Sequence, residues 1–319
     1  MLIGANLMTR GAGAGAAGIE AMARKTEAIG LDYIAVNDHV VVPRGIESRY
    51  PYSDDGAWAG AAAGECLEQL SVLSFLAAVT ERVRLLTSVM VLPHRPAVLS
   101  AKMLATADRL SRGRITVGCG AGWLREEFEA LGAPPYAERG RVTDEYIAAF
   151  RALWTEDDPA MDGRHVRFGD VLFRPRPVQE PHPPIWIGGE SPQALRRAAR
   201  YGDGWYPASG NPAHLMNDLD RVEQGVARFR NACSDLGRDP ATLDIGLFAI
   251  EPVEAEARRR ADGSRQLLSG EPADIAADLA GLGECGVGHL VVMLQKPDLA
   301  ETIERMDWFS TEVLPLVRA

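Results

Sequence analysis

The sequence predicts an α/β barrel in which eight strands alternate with eight helices. Short apolar runs alternate with longer helical patterns along the 319 residues. Several runs, such as TSVMVL and HLVVML, are apolar on both faces, which is typical of parallel strands covered by helices. Each strand–helix pair has the spacing of a crossover unit, and eight such units make a (β/α)8 TIM barrel, which reaches about 250 residues as one domain. We therefore expect residues 1–319 to form a single domain.

The elements follow in order along the chain. The predicted strands are Leu2–Leu7, Tyr33–Asn37, Val83–Leu92, Arg114–Gly118, Pro184–Gly188, Gly204–Pro207, Leu243–Ile250 and His289–Leu294. The predicted helices are 19–29, 66–80, 97–111, 137–154, 191–201, 212–236, 272–284 and 298–307. Two insertions stretch the pattern: 40–65 follows the second strand, and 155–183 precedes the fifth, where HVRFGDVLFRPRP suggests a small hairpin. Loops this long inside a domain are usually functional or disordered.

The composition indicates a globular cytoplasmic enzyme. Hydrophobic residues make up 46% of the chain and charged residues 24%, which excludes global disorder. No apolar run approaches the roughly 18 residues of a membrane span, and the N-terminus lacks the basic start of a secretory signal. A net charge of −10 disfavours nucleic acid. The cysteines lack the spacing of a metal or redox site and are predicted to be reduced, apolar residues: Cys66, Cys119, Cys233 and Cys285.

A glycine pattern near the N-terminus imitates a dinucleotide-binding fingerprint. Gly13, Gly15 and Gly18 spell G-x-G-x-x-G, and Asp38 follows twenty residues later. The fingerprint requires its first glycine to turn the chain directly out of the strand, whereas MTRGA separates the first strand from Gly13. We therefore favour a slack, flexible first loop over a dinucleotide site.

Four segments fall at the carboxyl ends of predicted strands, where a barrel carries its chemistry. The first is Asn37-Asp38-His39, at the end of the second strand. A histidine there can move a proton near neutral pH, and a neighbouring carboxylate can orient its ring. The alternative is a histidine that is simply hydrogen-bonded to the loop.

The other three segments are open to structural interpretations. Thr87-Ser88-Val89-Met90 has the periodicity of buried strand. In Gly118-Cys119-Gly120-Ala121-Gly122-Trp123 the missing side chains let a flat ligand approach the backbone, and a tight turn explains them equally. In Gly188-Gly189-Glu190-Ser191-Pro192, amides at a helix N-terminus make a phosphate site, although Ser191 as N-cap explains part of the pattern. Together the segments suggest a phosphorylated planar cofactor across the barrel mouth.

On these residues the chain resembles the luciferase-like family of barrel oxidoreductases, most of all the branch that depends on the deazaflavin F420. The resemblance covers nearly the whole chain. It is strongest in LDYIAVNDHVVVP, VRLLTSVMVLPHRPAVLSAKMLATADRLSRGRITVGCGAGWLREEFEALG and PHPPIWIGGESPQALRRAARYGDGWYP.

The resemblance implies a role for each segment. Such enzymes carry a non-prolyl cis peptide against the central cofactor ring, here Ser88-Val89 or alternatively Val89-Met90. Asp38-His39 matches the Asp-His beside the reactive face of the ring, and both residues are predicted to be catalytic. The residues implied to bind the cofactor, without a metal, are Asp38, His39, Ser88, Val89, Met90, Gly118, Gly120, Ala121, Gly188, Gly189, Glu190 and Ser191.

The sequence departs from one group within this branch. The F420-dependent sugar-phosphate dehydrogenases place a tryptophan shortly after the Asp-His and a glutamate in the strand-four turn, where this chain has VVVPR and Ala121. A sugar phosphate is therefore disfavoured as substrate. Glu126 and Glu127 lie one helical turn further on and are expected to be solvated. The 40–65 loop is expected to be a substrate lid, with a mobile surface loop as the alternative; it carries Arg44, Arg49, Tyr50, Tyr52 and Trp58.

The implied function is hydride transfer between F420 and a small organic substrate, with His39 as proton donor or acceptor. The alternative is an FMN-dependent monooxygenase that uses dioxygen and flavin from a separate cofactor reductase. A third hypothesis is a non-catalytic flavin-binding protein. F420 is favoured by the overall similarity and by an arginine-rich composition typical of actinobacteria. A barrel hydrolase would need a nucleophile–base set or a metal cluster, and the histidines lack that spacing.

Two further expectations concern partners and charge. The resemblance implies a homodimer formed through barrel helices. F420 carries a phosphate and a glutamate tail, so an acidic protein must gather arginines locally to hold it. We expect Arg10, Arg44 and Arg49 to lie around the barrel mouth.

Overall fold

Eight parallel strands close into a barrel in the computed structural model, which describes residues 1–260 and 262–318 apart from the side chain of Ala63. Each strand pairs with its neighbours in chain order, and the pairings of Leu2 with His289 and of Leu85 with Ile115 complete the circle. The predicted TIM barrel is confirmed. Its strands are β1 (Leu2–Leu7), β2 (Tyr33–Val36), β3 (Arg84–Thr87), β4 (Ile115–Gly120), β5 (Ile185–Gly188), β6 (Gly204–Tyr206), β7 (Asp244–Pro252) and β8 (His289–Met293).

Helices cover the outside of the barrel. They are α1 (Ala16–Ala28), α2 (Gln69–Val79), α3 (Ala97–Leu110), α4 (Arg125–Ala130), α5 (Arg139–Thr155), α6 (Pro192–Tyr201), α7 (Leu219–Asp235), α8 (Pro272–Glu284), α9 (Leu299–Trp308) and α10 (Leu314–Arg318). The predicted helix over 212–236 begins only at Leu219, where Asp218 caps it, and α4 and α10 were not predicted. No helix in the described part of the chain combines the length and the apolar content that crossing a membrane requires.

Side chains alternate between two cores along each strand. One cluster fills the barrel interior and includes Tyr33, Leu86, Trp186, Tyr206 and Val291. The residues between them pack outward against the helices, as Ile34, Leu85 and Ile187 do. Because the side-chain period of a strand is two, this alternation places the side chains of Asn6, Asn37 and Ser88 in the layer of the interior nearest the barrel mouth.

The glycine-rich first connection is a tight turn. Gly11–Gly13 forms one turn of 3-10 helix between β1 and α1. A Cβ at Gly13 would lie 2.1 Å from the Met8 carbonyl oxygen, and one at Gly18 would lie 1.8 Å from that of Ala12. Close backbone packing therefore requires these glycines. The expectation of a slack loop is wrong, and the closed barrel excludes the doubly wound sheet of a dinucleotide-binding domain.

The long connections carry little regular structure. Between β2 and α2 the chain forms turns and a short 3-10 helix, Ala59–Ala63. Between α5 and β5 a small hairpin pairs Met161–Asp162 with Arg167–Phe168. The hairpin was predicted in HVRFGDVLFRPRP, but its first strand lies before that segment. A third long connection, 253–271 between β7 and α8, was not predicted.

Candidate active site at the barrel mouth

His39 is held by a buried glutamate. Its Nδ1 lies 2.8 Å from Oε2 of Glu127, whose side chain is 0% exposed, while that of His39 is 14% exposed. The other carboxylate oxygen accepts the N–H groups of Val40 at 2.6 Å and Val41 at 3.2 Å. Burial alone would raise the pKa of Glu127, but the hydrogen bonds from His39 and Val40 hold it below its usual range. The expectation that Glu127 is solvated is wrong.

This pair determines how the imidazole is presented. An ionised carboxylate only accepts hydrogen bonds, so Nδ1 of His39 carries a proton. Whenever the ring is neutral, Nε2 is therefore its unprotonated nitrogen. Within the described residues, Nε2 makes no hydrogen bond. The arrangement therefore provides a proton acceptor at Nε2, or a proton donor once the ring is charged.

Asp38 is occupied by an arginine. Its two carboxylate oxygens accept Nη1 and Nη2 of Arg95 at 2.9 and 2.8 Å, and Oδ2 also accepts the Val91 N–H at 2.9 Å. Its side chain is fully buried; burial would raise the pKa of Asp38, but Arg95 holds it below its ordinary value. Asp38 therefore ties the end of β2 to the segment after β3. The expectation that the neighbouring aspartate orients His39 is wrong, because Glu127 does so.

The cis peptide lies at the first of the two predicted positions, Ser88–Val89. The side chain of Val89 is half-buried, and its methyl groups occupy the space left by two glycines: a Cβ would lie 2.6 Å from Val89 at Gly120 and 3.0 Å from it at Gly188. Ser88 Oγ lies 2.9 Å from the hydroxyl of Tyr206. Val89 therefore forms an apolar floor at the centre of the barrel mouth.

The strand-four turn is tight, and its glycines have local reasons. A Cβ at Gly118 would lie 2.1 Å from the Thr87 carbonyl oxygen, so the contact between β3 and β4 requires glycine there. Gly122 has φ +86°, a conformation that favours glycine. Ala121 is half-buried between them. Contact of Gly118, Gly120 or Ala121 with a cofactor stays a prediction.

Met90 lies elsewhere. Its side chain is fully buried among the helix-facing core residues, in a two-residue strand that pairs with β4. The side chain of Met90 is therefore not part of the mouth.

The turn after β5 opens α6 as predicted. Ser191 Oγ accepts the N–H of Ala194 at 3.2 Å, and Pro192 is the first helical residue, which confirms the N-cap. Gly189 has φ +98°, and a Cβ there would lie 3.1 Å from that of Ala194. Gly188 and Gly189 thus leave the backbone at the helix N-terminus without side chains, which is the geometry that favours a phosphate.

Glu190 supports this turn from behind. Its carboxylate accepts the N–H of Ala208 at 2.7 Å and Nδ2 of Asn211 at 2.7 Å. Burial raises the pKa of Glu190. The side chain therefore fixes the β5 turn to the segment after β6, and only its backbone amide remains a candidate for a phosphate.

The 40–65 loop brings aromatic rings over His39. Trp58 stacks on the imidazole with ring centroids 4.2 Å apart at 32°. Trp123 packs edge-on against Trp58 at 5.7 Å, Tyr50 against Trp123 at 5.1 Å, and Tyr52 against Tyr50 at 5.5 Å. The aromatic residues of the loop therefore face the mouth.

Short α4 anchors the loop on its outer side. Glu126 Oε1 accepts the N–H groups of Glu47 at 2.7 Å and Ser48 at 3.0 Å. Although burial opposes it, these hydrogen bonds lower the pKa of Glu126 to about 2. Arg44 and Arg49 are exposed on the same loop. Of the three arginines expected around the mouth, only Arg10 is half-buried, and it follows β1.

The family described as luciferase-like monooxygenase matches residues 1–294 of this chain. The chain belongs to this family. An uncharacterized protein of Mycobacterium tuberculosis is 32% identical over 262 residues, which cover 82% of this chain and 89% of that protein. The FMNH2-dependent dimethylsulfone monooxygenase of Pseudomonas putida is 39% identical over 204 residues, 63% of this chain and 53% of that enzyme.

A solved structure extends the likeness to the whole fold. An F420-dependent secondary alcohol dehydrogenase, in complex with an F420–acetone adduct, superposes with a TM-score of 0.77 over 100% of this chain and 99% of that one. The two sequences are 18% identical, so this likeness shows the shared barrel alone.

The sequence did not indicate which residues contact His39 and Asp38 in this luciferase-like site. The expectation for Glu127 is wrong because two adjacent glutamates are typical of a solvated helix start. The signal was present: Leu124 and Phe128 are four residues apart and each is 1% exposed, and Glu127 lies on the face that they define. Arg95, which neutralises Asp38, comes from a segment 57 residues away, and no local pattern indicates that contact.

The interior layer also fits a planar ring with hydrogen-bonding edges. Asn6 Nδ2 donates to Oδ1 of Asn37 at 3.1 Å, and Asn37 Nδ2 donates to the Ser88 carbonyl oxygen at 3.3 Å. Oδ1 of Asn6 is buried and has no hydrogen-bond partner within the described residues. A buried acceptor is costly without a donor, which a ligand N–H would supply. With the Val89 floor and the bare β5 turn, these residues fit a phosphorylated, flavin-like group.

Proposed function

We propose that this luciferase-like protein is an F420-dependent oxidoreductase that transfers a hydride between the deazaflavin ring and a small organic substrate. The observation that supports the proposal most is the His39–Glu127 pair at the mouth. Hydride addition to a carbonyl or imine leaves an anion that must take up a proton, and the reverse reaction must lose one. When bound, F420 supplies the hydride equivalent from its central ring.

The residues around the mouth have separate roles in this reaction. His39 moves the proton at Nε2, and Glu127 keeps the ring in the tautomer and orientation that this requires. Val89 and Asn6 support the face and edge of the planar group, while the turn from Gly188 to Ser191 binds its phosphate. Trp58 and Trp123 exclude water from the imidazole, which strengthens its polar contacts. Asp38 acts through Arg95 by fixing the backbone that bears His39.

An FMN-dependent monooxygenase is the second candidate, because the dimethylsulfone monooxygenase of Pseudomonas putida is 39% identical over the matched residues. Its cofactor is also a phosphorylated tricyclic ring, so the same floor and turn would hold it. Such an enzyme would depend on a separate reductase for reduced flavin. A homodimer and a cytoplasmic location remain predictions under either candidate.

Titration with F420 and with FMN, following the fluorescence of each ring, separates these candidates. We expect F420 to bind in the micromolar range and more tightly than FMN. Tighter binding of FMN, with turnover that requires dioxygen, would replace the proposal with the monooxygenase. Binding of neither would overturn both, and binding without turnover of any acceptor would support a non-catalytic flavin-binding protein.

A further inference from the structure

Arg10 is a cation at the barrel mouth that forms no ion pair within the part of the chain that the structure describes. It follows β1 and is half-buried, and its Nη2 donates to Met8 Sδ at 3.3 Å. Within the described residues, no carboxylate oxygen lies within 4.0 Å of its guanidinium. Arg95, by comparison, contacts the carboxylates of both Asp38 and Glu68. Within the described residues, one of the five guanidinium donors thus meets a weak sulfur acceptor and none meets an oxygen, so in this partly desolvated place the group can recognise an anionic oxygen ligand.

The segment that carries Arg10 is held in place. Gln295 is 6% exposed and follows β8. Its Oε1 accepts the Met8 N–H at 2.8 Å, and its Nε2 donates to the Arg10 carbonyl oxygen at 3.2 Å. The backbone of Arg10 is thus fixed by a buried amide, and less conformational entropy is lost when the guanidinium binds a ligand.

The guanidinium lies near one end of the aromatic lining of the site. Its titratable neighbours are Tyr50 and Cys66, and burial lowers the pKa of Arg10. The ring of Tyr50 packs on Trp123, and Trp123 lies edge-on to His39 with centroids 6.3 Å apart. Arg10 and His39 therefore border the same aromatic wall.

The barrel topology indicates which ligand Arg10 meets. In a closed barrel of eight strands, β1 lies diametrically opposite β5. The turn proposed to bind the cofactor phosphate follows β5, and Arg10 follows β1. If the β5 turn held the cofactor phosphate, the β1 side of the mouth would be left for another ligand. The guanidinium lies on that β1 side.

We propose that Arg10 binds the anionic oxygen group of the substrate, and that the substrate is an organic carboxylate or sulfonate. Its apolar body lies along Tyr50, Trp123 and Trp58, within reach of His39. This assignment rests on the proposed function, because it places the cofactor phosphate at the β5 turn. Arg–carboxylate contacts are charge-assisted and bidentate, so they discriminate strongly against a neutral analogue.

Calorimetric titration of the cofactor-loaded protein with benzoate and with its neutral analogue benzamide tests this assignment. We expect benzoate to bind at least about tenfold more tightly, the lower end of the range for one charge-assisted hydrogen bond. Arg10→Gln removes the preference and leaves benzamide binding unchanged, whereas Arg10→Lys keeps part of it. Arg24→Gln on the exposed face of α1 is the matched control and keeps the full preference. Equal affinities for the two ligands in the wild type, or an undiminished preference in Arg10→Gln, would overturn the proposal.

Two further titrations separate this proposal from the proposed function. One titrates the cofactor-free protein with benzoate and benzamide, and the other titrates Arg10→Gln with F420 and with FMN. If Arg10→Gln loses F420 or FMN affinity while its preference for benzoate persists, the guanidinium serves the cofactor and the substrate assignment fails alone. If the wild type binds neither cofactor but prefers benzoate through Arg10, the proposed function fails and the anion site stands.

Discussion

Glu127→Gln tests the role of the buried glutamate. The substitution conserves shape, and its carbonyl oxygen can still accept the N–H groups of Val40 and Val41. Its amide NH2 then faces Nδ1 of His39, which must become an acceptor, so the imidazole proton moves to Nε2. The lost contact is a 2.8 Å charge-assisted hydrogen bond to a fully buried carboxylate, worth about 1.5–3 kcal/mol. If the free energy of the transition state rises by this full amount, kcat falls by about 10- to 100-fold.

Two measurements check this prediction. Nitrogen-15 NMR of the imidazole reports the tautomer directly: we expect Nδ1–H in the wild type and Nε2–H in Glu127→Gln. Turnover with the best acceptor from a carbonyl and imine panel should fall while cofactor affinity is unchanged. Glu126→Gln is the control, since that carboxylate binds Glu47 and Ser48 and does not touch the imidazole. Wild-type turnover in Glu127→Gln, with the tautomer unaltered, would refute the reasoning.

Three further substitutions probe the surroundings of the site. Asp38→Asn removes the buried carboxylate from Arg95 and leaves the half-exposed Glu68 as its ion-pair partner, so the unfolding free energy at pH 7 should fall by about 1–3 kcal/mol. Because the pKa of Asp38 is lowered on folding, its stabilisation is present above about pH 4 and is lost as the pH falls, so denaturant titrations across pH should show a flatter acid limb in the variant. Gly120→Ala places a Cβ 2.6 Å from Val89 and should cost about 1–3 kcal/mol in chemical denaturation; an equal cost in a Val89→Ala background would contradict the packing argument. Trp58→Ala uncovers the imidazole beneath it, so hydrogen–deuterium exchange at the imidazole C2 should accelerate, whereas Trp58→Phe keeps a stacked ring and should leave the rate near that of the wild type.

The barrel could be predicted from the sequence because the patterns that indicate its strands and helices are local and repeated. Each strand is a short apolar run, and Gly or Pro residues mark many of the boundaries, so β1 and α8 agree with their predicted bounds. The position of the cis peptide followed from the resemblance. In each case the information lies within a few neighbouring residues.

The residues that contact His39 and Asp38 could not be predicted from the sequence, because those contacts depend on distances across the barrel mouth. His39 and Glu127 are 88 residues apart, and Asp38 and Arg95 are 57 apart. Adjacency in sequence favours pairing Asp38 with His39, yet each side chain binds a partner from a later segment, Arg95 for Asp38 and Glu127 for His39. That Arg10 forms no ion pair with the described residues follows only from the positions of the carboxylates around it.

Single-turnover kinetics of His39→Asn, with the reduced cofactor prebound and dioxygen excluded, tests the central claim most directly. The account predicts that the cofactor binds as in the wild type and that the rate of hydride transfer to a carbonyl acceptor falls by about 10²-fold or more, the scale of general acid–base catalysis. A wild-type rate in the variant with its cofactor bound would contradict the claim that this imidazole moves the proton.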